Sequence, residues 1–341
     1  MSLIKRLVKE KIVEKTPIWL MRQAGRYMSE YKSVKRKSKD FLEMCYTPDI
    51  ASDITMQPIR KFDFDAAIIF SDILVIPHAL GVGLEFIKNK GPVMPRFSFE
   101  KKDIDDFMSK EVGNSLDSVY EAIKKTRAML SKDKELIGFA GAPWTLFSYM
   151  TEGGGSKNFD RANLALIKNK EFSIEVMKKL TNSVADHLIK QIESGVDVVQ
   201  IFDSWAGEIT VDKYDEFIIE PAREIVKKIR EKYKHVPIIC FPRKSSFRYK
   251  DYVERVKPDI ISIDQDLPLK WVTENLADKA IIQGNLDPMI LIDEKEKIRS
   301  QAKRIIQELG EGKFIFNLGR GVSKETPIEN VQFLVDVVRG A

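Results

Sequence analysis

Cysteine and histidine are scarce in this 341-residue chain. The two cysteines, Cys45 and Cys240, lie far apart without CxxC spacing, which excludes a disulfide framework and predicts buried structural thiols. His78, His187 and His235 are the only histidines, and none stands at metal-ligand spacing from a Cys or Glu, so no metal is expected. No apolar run approaches the ~20 residues that a membrane helix needs. Residues 1–15 alternate Leu, Ile and Val with Lys and Glu; they lack the apolar centre of a signal peptide, and Glu10 and Glu14 argue against a transit peptide. A cytoplasmic protein with no membrane partner is the expectation. Neither sign of charge dominates: 56 basic residues face 51 acidic ones, intermixed and without a basic block, so no nucleic-acid partner is expected. A Walker A loop, a Gly-x-Ser-x-Gly elbow and a dinucleotide fingerprint are all absent from the sequence.

What the chain has in quantity is an alternation of elements. Short runs rich in Ile, Val and Phe read as strands at Ile18–Arg22, Ala66–Asp72, Leu136–Gly141, Val196–Asp203, Pro237–Pro242, Ile260–Asp264, Ala280–Gly284 and Phe314–Leu318. Helical periodicity covers Ser115–Leu130, Ser173–Glu193, Val211–Tyr233, Tyr249–Val256, Lys295–Leu309 and Pro327–Val338. Thr326 reads as the N-cap of the last helix, with Pro327 at its first position. The pattern predicts an α/β chain forming a single-domain (β/α)8 TIM barrel over residues 1–341, with residues 1–15 as an N-terminal helical extension. A doubly wound open sheet is the alternative. It would want a glycine fingerprint after the first strand, where Arg22-Gln-Ala-Gly-Arg26 stands instead.

Chemically capable residues end nearly every strand: Arg22, Asp72, Asp203-Ser204, Arg243-Lys244, Asp264 and Asn317. In a barrel these ends converge on one face. If the first loop is helical, Arg22 and Arg26 at i and i+4 share a side and offer two planar forks to carboxylates. Pairing with the protein's own acids is the competing use. Arg243, Lys244 and Arg320 add to a basic-lined mouth suited to a polyanionic small substrate. Asp72 among arginines is expected to stay ionised, ready to hold N–H groups or offset a cation on the ligand. Tyr149, Ser148 and Ser204 offer neutral hydrogen bonds, and Gly153-Gly154-Gly155-Ser156 an anion cradle or a flexible loop. These residues imply an anionic ligand and a cationic intermediate without naming a reaction.

Five segments go further: Pro17-Ile-Trp-Leu-Met-Arg-Gln-Ala-Gly-Arg-Tyr27, Phe70-Ser-Asp-Ile-Leu74, Gly138-Phe-Ala-Gly-Ala-Pro-Trp-Thr-Leu146, Gln283-Gly-Asn-Leu-Asp-Pro288, and Phe316-Asn-Leu-Gly319 with Glu325-Thr-Pro327. In content and order they resemble the uroporphyrinogen decarboxylase family, from residue 17 to the C-terminus. The resemblance implies a homodimeric barrel, free of cofactor and metal, acting on a tetrapyrrole. The implied reaction converts the four acetates of uroporphyrinogen III to methyls, giving coproporphyrinogen III in porphyrin and heme biosynthesis. It further implies that Asp72 binds the pyrrole N–H groups and stabilises a protonated pyrrole. Arg22, Gln23, Ala24, Gly25, Arg26, Tyr149, Ser204 and Arg320 would contact substrate, with Arg22 also a candidate proton donor.

The chain departs from the family pattern at four places. Arg320 stands where a histidine is usual, His78 where glutamine is, Gln265 where tryptophan is, and Phe241-Pro-Arg-Lys244 replaces a lysine-glycine ending. A corrinoid-dependent methyltransferase of similar fold would carry a His-x-Cys zinc pair, which is absent here. A non-catalytic tetrapyrrole binder would have no need of both arginines and Asp72.

Overall fold

The computed structural model describes residues 2–88 and 90–340. Its nine strands are β1 (Ala66–Ile68), β2 (Glu85–Ile87), β3 (Gly91–Val93), β4 (Glu135–Gly141), β5 (Val198–Asp203), β6 (Ile238–Pro242), β7 (Ile260–Ser262), β8 (Ile281–Leu286) and β9 (Ile315–Leu318). Seven lie side by side, all parallel, in the order β1-β4-β5-β6-β7-β8-β9, while β2 and β3 form a separate antiparallel hairpin.

The eighth stave is the shortest. Ile18 bridges in parallel to Phe316, the Phe316 N–H donates to the Pro17 carbonyl at 2.8 Å, and the Asp65 N–H donates to the Ile18 carbonyl at 3.0 Å. Residues 17–19 thus sit between β9 and β1 and close the sheet on itself, giving the expected barrel. The strand read at Ile18–Arg22 shrinks to this bridge for two reasons. Pro17 has no N–H to give the ladder, and the chain turns at once, with the Gln23 N–H bonded to the Leu20 carbonyl at 3.0 Å.

The barrel interior is packed by Trp19, Ile137, Val198, Ile239, Phe241 and Ile281, among others. A polar layer crosses it: the Gln283 side chain accepts from the Trp19 indole N–H at 3.0 Å and donates to Gln200 and Ser262 at 3.3 and 3.2 Å. Each amide in this dry layer needs such partners, since an unpaired buried polar group is costly. The helix Leu3–Glu10 seals the lower end with Leu3, Ile4 and Leu7, which belong to the same cluster. Buried Glu135, at the start of β4, caps that helix by accepting from the Ile4 and Lys5 N–H groups at 2.8 and 3.0 Å.

Outer helices follow the periodic segments. Tyr249–Val256 and Lys295–Leu309 fall where expected; Lys170–Glu193 starts earlier than Ser173, and Asp117–Met129 is slightly shorter than its reading. The stretch read as one helix over Val211–Tyr233 splits into a 3-10 turn (Val211–Lys213), a π turn (Asp215–Ile219) and an α-helix (Glu220–Lys232). Pro221 cannot donate to the fourth carbonyl before it, and the wider turn lies just ahead of it. The last helix begins at Ile328, with Pro327 in the cap position rather than Thr326. Both cysteines are buried. His187 is also buried, 3.0 Å from the Tyr120 hydroxyl, and loss of water pushes its pKa down to about 3. No helix among the described residues is long and apolar enough to cross a membrane.

Candidate active site

The strands' C-terminal ends surround an apolar floor. Phe139 of β4 and Phe202 of β5 meet edge to face with ring centroids 5.6 Å apart, and Phe202 meets Phe241 of β6 at 6.3 Å. Phe202 and Ile68 pack on the barrel core. Ile68, Phe139 and Phe202 all keep partial exposure. Alternation along the strands announces such residues, but it does not say which face turns inward.

Around this floor stand the polar residues read from the sequence. Asp72 follows β1, in a loop held by the Leu74 N–H, which donates to Oδ1 at 2.9 Å. Arg22, Cys45, Tyr46 and Tyr149 lie within electrostatic reach of this carboxylate. Loss of water is the largest influence on it and pushes its pKa up to about 6; the Leu74 N–H and Arg22 pull the other way and lose. The expectation of an ionised carboxylate secured by arginine is therefore modified. Asp72 is ionised at neutral pH with little margin, because its surroundings are apolar.

The first loop is not a helix. Arg22 has a φ of 59°, in the left-handed region, and the following residues form turns, so the i, i+4 argument for Arg22 and Arg26 does not hold. Such backbone costs a non-glycine residue about 1 kcal/mol. The loop is tied down around it: Asn317 Oδ1 accepts from the Met21 N–H at 3.0 Å, and the Val322 N–H donates to the Met21 carbonyl at 2.9 Å. Both arginines are exposed and both act on the buried Tyr31. Neither has a carboxylate oxygen within 4.0 Å among the described residues, which removes pairing with the protein's own acids as their use.

The neighbours divide into two groups. Gln23 is fully buried, its Oε1 accepting from the Leu20 N–H at 3.2 Å and its Nε2 donating to the Ala66 carbonyl at 3.1 Å, so its amide is engaged by the loop and β1. Ala24 and Gly25 are partly exposed, as are Tyr149, on the helix Pro143–Glu152, and Ser204, just past β5. Arg320 is exposed at the end of β9, 3.7 Å from Asp287. Lys244 is spent on Glu208 at 3.0 Å, whereas partly buried Arg243 has no acidic partner within 4.0 Å among the described residues. Asp203, Asp264 and Asn317 are buried and organise the rim from beneath. The glycine run is not an anion cradle: the Gly153 and Gly154 N–H groups both donate to the Tyr149 carbonyl, and Gly154 bridges to Val93 of the β2–β3 hairpin.

Exposed guanidiniums without acidic partners among the described residues, a desolvated carboxylate and partly exposed aromatic rings at the strand ends suit a flat, carboxylate-edged molecule. The sequence profile described as Uroporphyrinogen decarboxylase (URO-D) matches residues 1–341. The chain belongs to the uroporphyrinogen decarboxylase family. A Rickettsia felis protein named uroporphyrinogen decarboxylase is 46% identical over 327 residues, covering 95% of this chain and 93% of that one. A Rickettsia bellii protein of the same name is 44% identical over 339 residues, covering 99% and 98%. Among solved structures, a methyltransferase from Methanosarcina mazei superposes with a TM-score of 0.79 at 18% identity, covering 98% of this chain and 96% of that one. A putative vitamin-B12-independent methionine synthase from Listeria monocytogenes gives 0.52 at 12%, covering 96% of each. At these identities the two structures speak for the barrel alone.

Three positions expected to depart from the uroporphyrinogen decarboxylase pattern have the following surroundings. Lys244 has a φ of 61°, a conformation that a glycine adopts without strain. His78 accepts or donates at Nδ1 to the Tyr46 hydroxyl, 2.9 Å away, and burial lowers its pKa. Gln265 packs under Gly319, where an added Cβ would come within 2.2 Å of its backbone nitrogen.

Proposed function

We propose that this chain decarboxylates the four acetate side chains of uroporphyrinogen III to methyls, yielding coproporphyrinogen III in porphyrin and heme biosynthesis. Family membership over the whole length carries the reading, together with Arg22, which acts on Asp72 and, like Arg26, has no carboxylate oxygen within 4.0 Å among the described residues. In each round, protonation of a pyrrole ring carbon makes a cation that serves as electron sink. The bond to CO2 then breaks, its electron pair flows into the ring, and the resulting exocyclic methylene takes a proton while the ring loses one. The balance is one carboxylate and one proton consumed, one methyl and one CO2 formed.

Within this reading, Asp72 accepts from the pyrrole N–H groups and stabilises the cation as a preorganised charge over an apolar floor. Because the sink lies in the substrate, the chemistry calls for neither a Schiff-base lysine nor a cofactor. Arg22 and Arg26 bind peripheral carboxylates, Tyr149, Ser204 and Arg320 complete the contacts, and Gln23, Ala24 and Gly25 shape the loop. A guanidinium gives up its proton only reluctantly, so the binding role of Arg22 is better supported than a donor role. The reading includes a cytoplasmic homodimer, implied by the family and checked by sedimentation.

The deciding experiment is anaerobic incubation with uroporphyrinogen III, followed by oxidation and separation of porphyrins by carboxylate number. Seven- to four-carboxylate products are expected; folded protein that returns only the eight-carboxylate species would overturn the reading.

A further inference from the structure

Asp203 is almost fully buried at the end of β5, yet no part of the proposed reaction uses it. Its surroundings keep it short of stabilising charge. Removal from water is the largest influence and pushes its pKa up to about 7, opposed by a single hydroxyl, the Thr145 Oγ1, which donates to Oδ1 at 2.6 Å. A buried carboxyl with so little compensation costs stability. Its connections explain what it holds.

Thr145 lies in the first turn of the helix Pro143–Glu152, so this bond pins the helix start to β5. The same hydroxyl oxygen accepts from the Trp205 N–H at 3.2 Å, and the Trp144 indole N–H donates to the Trp205 carbonyl at 3.0 Å. The backbone of Trp205 is thereby held at both ends. Its ring lies 4.5 Å from that of Phe159 and 6.0 Å from that of Tyr149, centroid to centroid. The indole N–H of Trp205 is buried without a partner at hydrogen-bond distance among the described residues; burial raises the Tyr149 pKa, and this nearby indole opposes the rise only weakly. Tyr149 follows Thr145 by four residues on one helix, so the two share a face. Tyr149 also feels both Asp72 and Arg22.

We propose that Asp203, acting through Thr145 and Trp205, is a positioning residue that sets the Tyr149 hydroxyl beside Asp72 in the mouth. The inference rests on the decarboxylase reading and on a substrate contact at Tyr149. It differs from a purely structural role because its effect must pass through one phenol.

The test is a double-mutant cycle read as kcat/KM for the first decarboxylation, with melting temperature recorded alongside. Thr145→Val breaks the relay and is expected to lower kcat/KM by on the order of ten- to hundredfold, the scale of a misplaced functional group. Thr145→Ser, which keeps the hydroxyl, restores most of it. In a Tyr149→Phe background, Thr145→Val should add less than about a twofold further loss. Effects that multiply independently, or a Thr145→Ser variant as slow as Thr145→Val, overturn the proposal. If Thr145→Val does not fold, Thr145→Ala enters the same cycle. Failure of the parent protein to turn over uroporphyrinogen would sink the decarboxylase reading itself, which keeps the two failures apart.

Discussion

Arg22 lies directly over Gly321: a Cβ placed on that glycine would come within 2.6 Å of the Arg22 Cδ and 2.8 Å of its Cγ. The βα loop after the last strand has given up a side chain so that the first loop's guanidinium can cross it. Gly321→Ala should therefore push Arg22 off its course without demanding a forbidden backbone. We expect kcat/KM for uroporphyrinogen to fall by on the order of ten- to hundredfold, with a melting temperature within a few degrees of the parent. An unchanged kcat/KM would show that the position of Arg22 over this glycine is immaterial.

Asp72 carries opposed demands. Its folded pKa of about 6 lies above the unfolded value of about 3.9, so the folded state binds the proton more tightly. The sign follows: stability falls as pH rises from about 4 through about 6, and the cost is then constant at neutral pH. Asp72→Asn should remove it, stabilising the protein at pH 7 by roughly 1–2 kcal/mol once partial access to water in the mouth is allowed for. The gain should vanish below about pH 4, and turnover should be abolished throughout. In the parent, kcat/KM should decline on the acid side with a midpoint near pH 6. Melting curves of the two proteins at pH 4 and pH 7 decide the first point, since equal differences at both would refute the linkage.

Arg243 sits after β6, four staves round the barrel from the loop that carries Arg22, and it has no acidic partner within 4.0 Å among the described residues. A disc edged with carboxylates needs cations on both sides. Arg243→Gln should raise KM for uroporphyrinogen about tenfold, as expected for one lost charge-assisted contact, with kcat within twofold, and Arg243→Lys should recover most of the affinity. A KM unmoved by either change would place Arg243 outside the substrate's reach.

Arg320 bears on pH dependence. Its long 3.7 Å approach to Asp287 leaves it exposed at the rim. Replacing it with the histidine that the resemblance leads one to expect there, Arg320→His, should make KM rise as pH climbs through about 6.5, where an imidazole loses its proton. Superimposable KM–pH curves for parent and variant would remove Arg320 from the contact set.

Much of this could be read from residues alone, and the shortfalls have physical causes. The parallel staves from Ala66 to Leu318 were legible because buried strands write continuous Ile, Val and Phe runs. Polar residues at their ends marked the mouth. The first strand misled because Pro17 and the turn at Leu20–Gln23 cut pairing short while leaving the apolar pattern intact. The helical reading of Arg22–Arg26 failed for lack of any sequence sign that Arg22 adopts a φ of 59°. The state of Asp72 depends on burial and on side chains distant in sequence, Tyr46 and Tyr149 among them, which local charge patterns do not reveal. Lys244 looked like a free cation until Glu208, 36 positions earlier, was found 3.0 Å from it. The connection from Asp203 to Tyr149 joins a strand end to a helix and was invisible as a motif.

The packed interior, sealed below by the helix Leu3–Glu10, leaves the barrel one open face. On the proposed reading every acetate-bearing ring reaches Asp72 from the same side, so the macrocycle lifts and turns between rounds, and the gas it releases shares its exit. Each round also strips one negative charge from a ligand gripped by fixed cations. The hold loosens step by step, and the finished product is the species the mouth keeps least well.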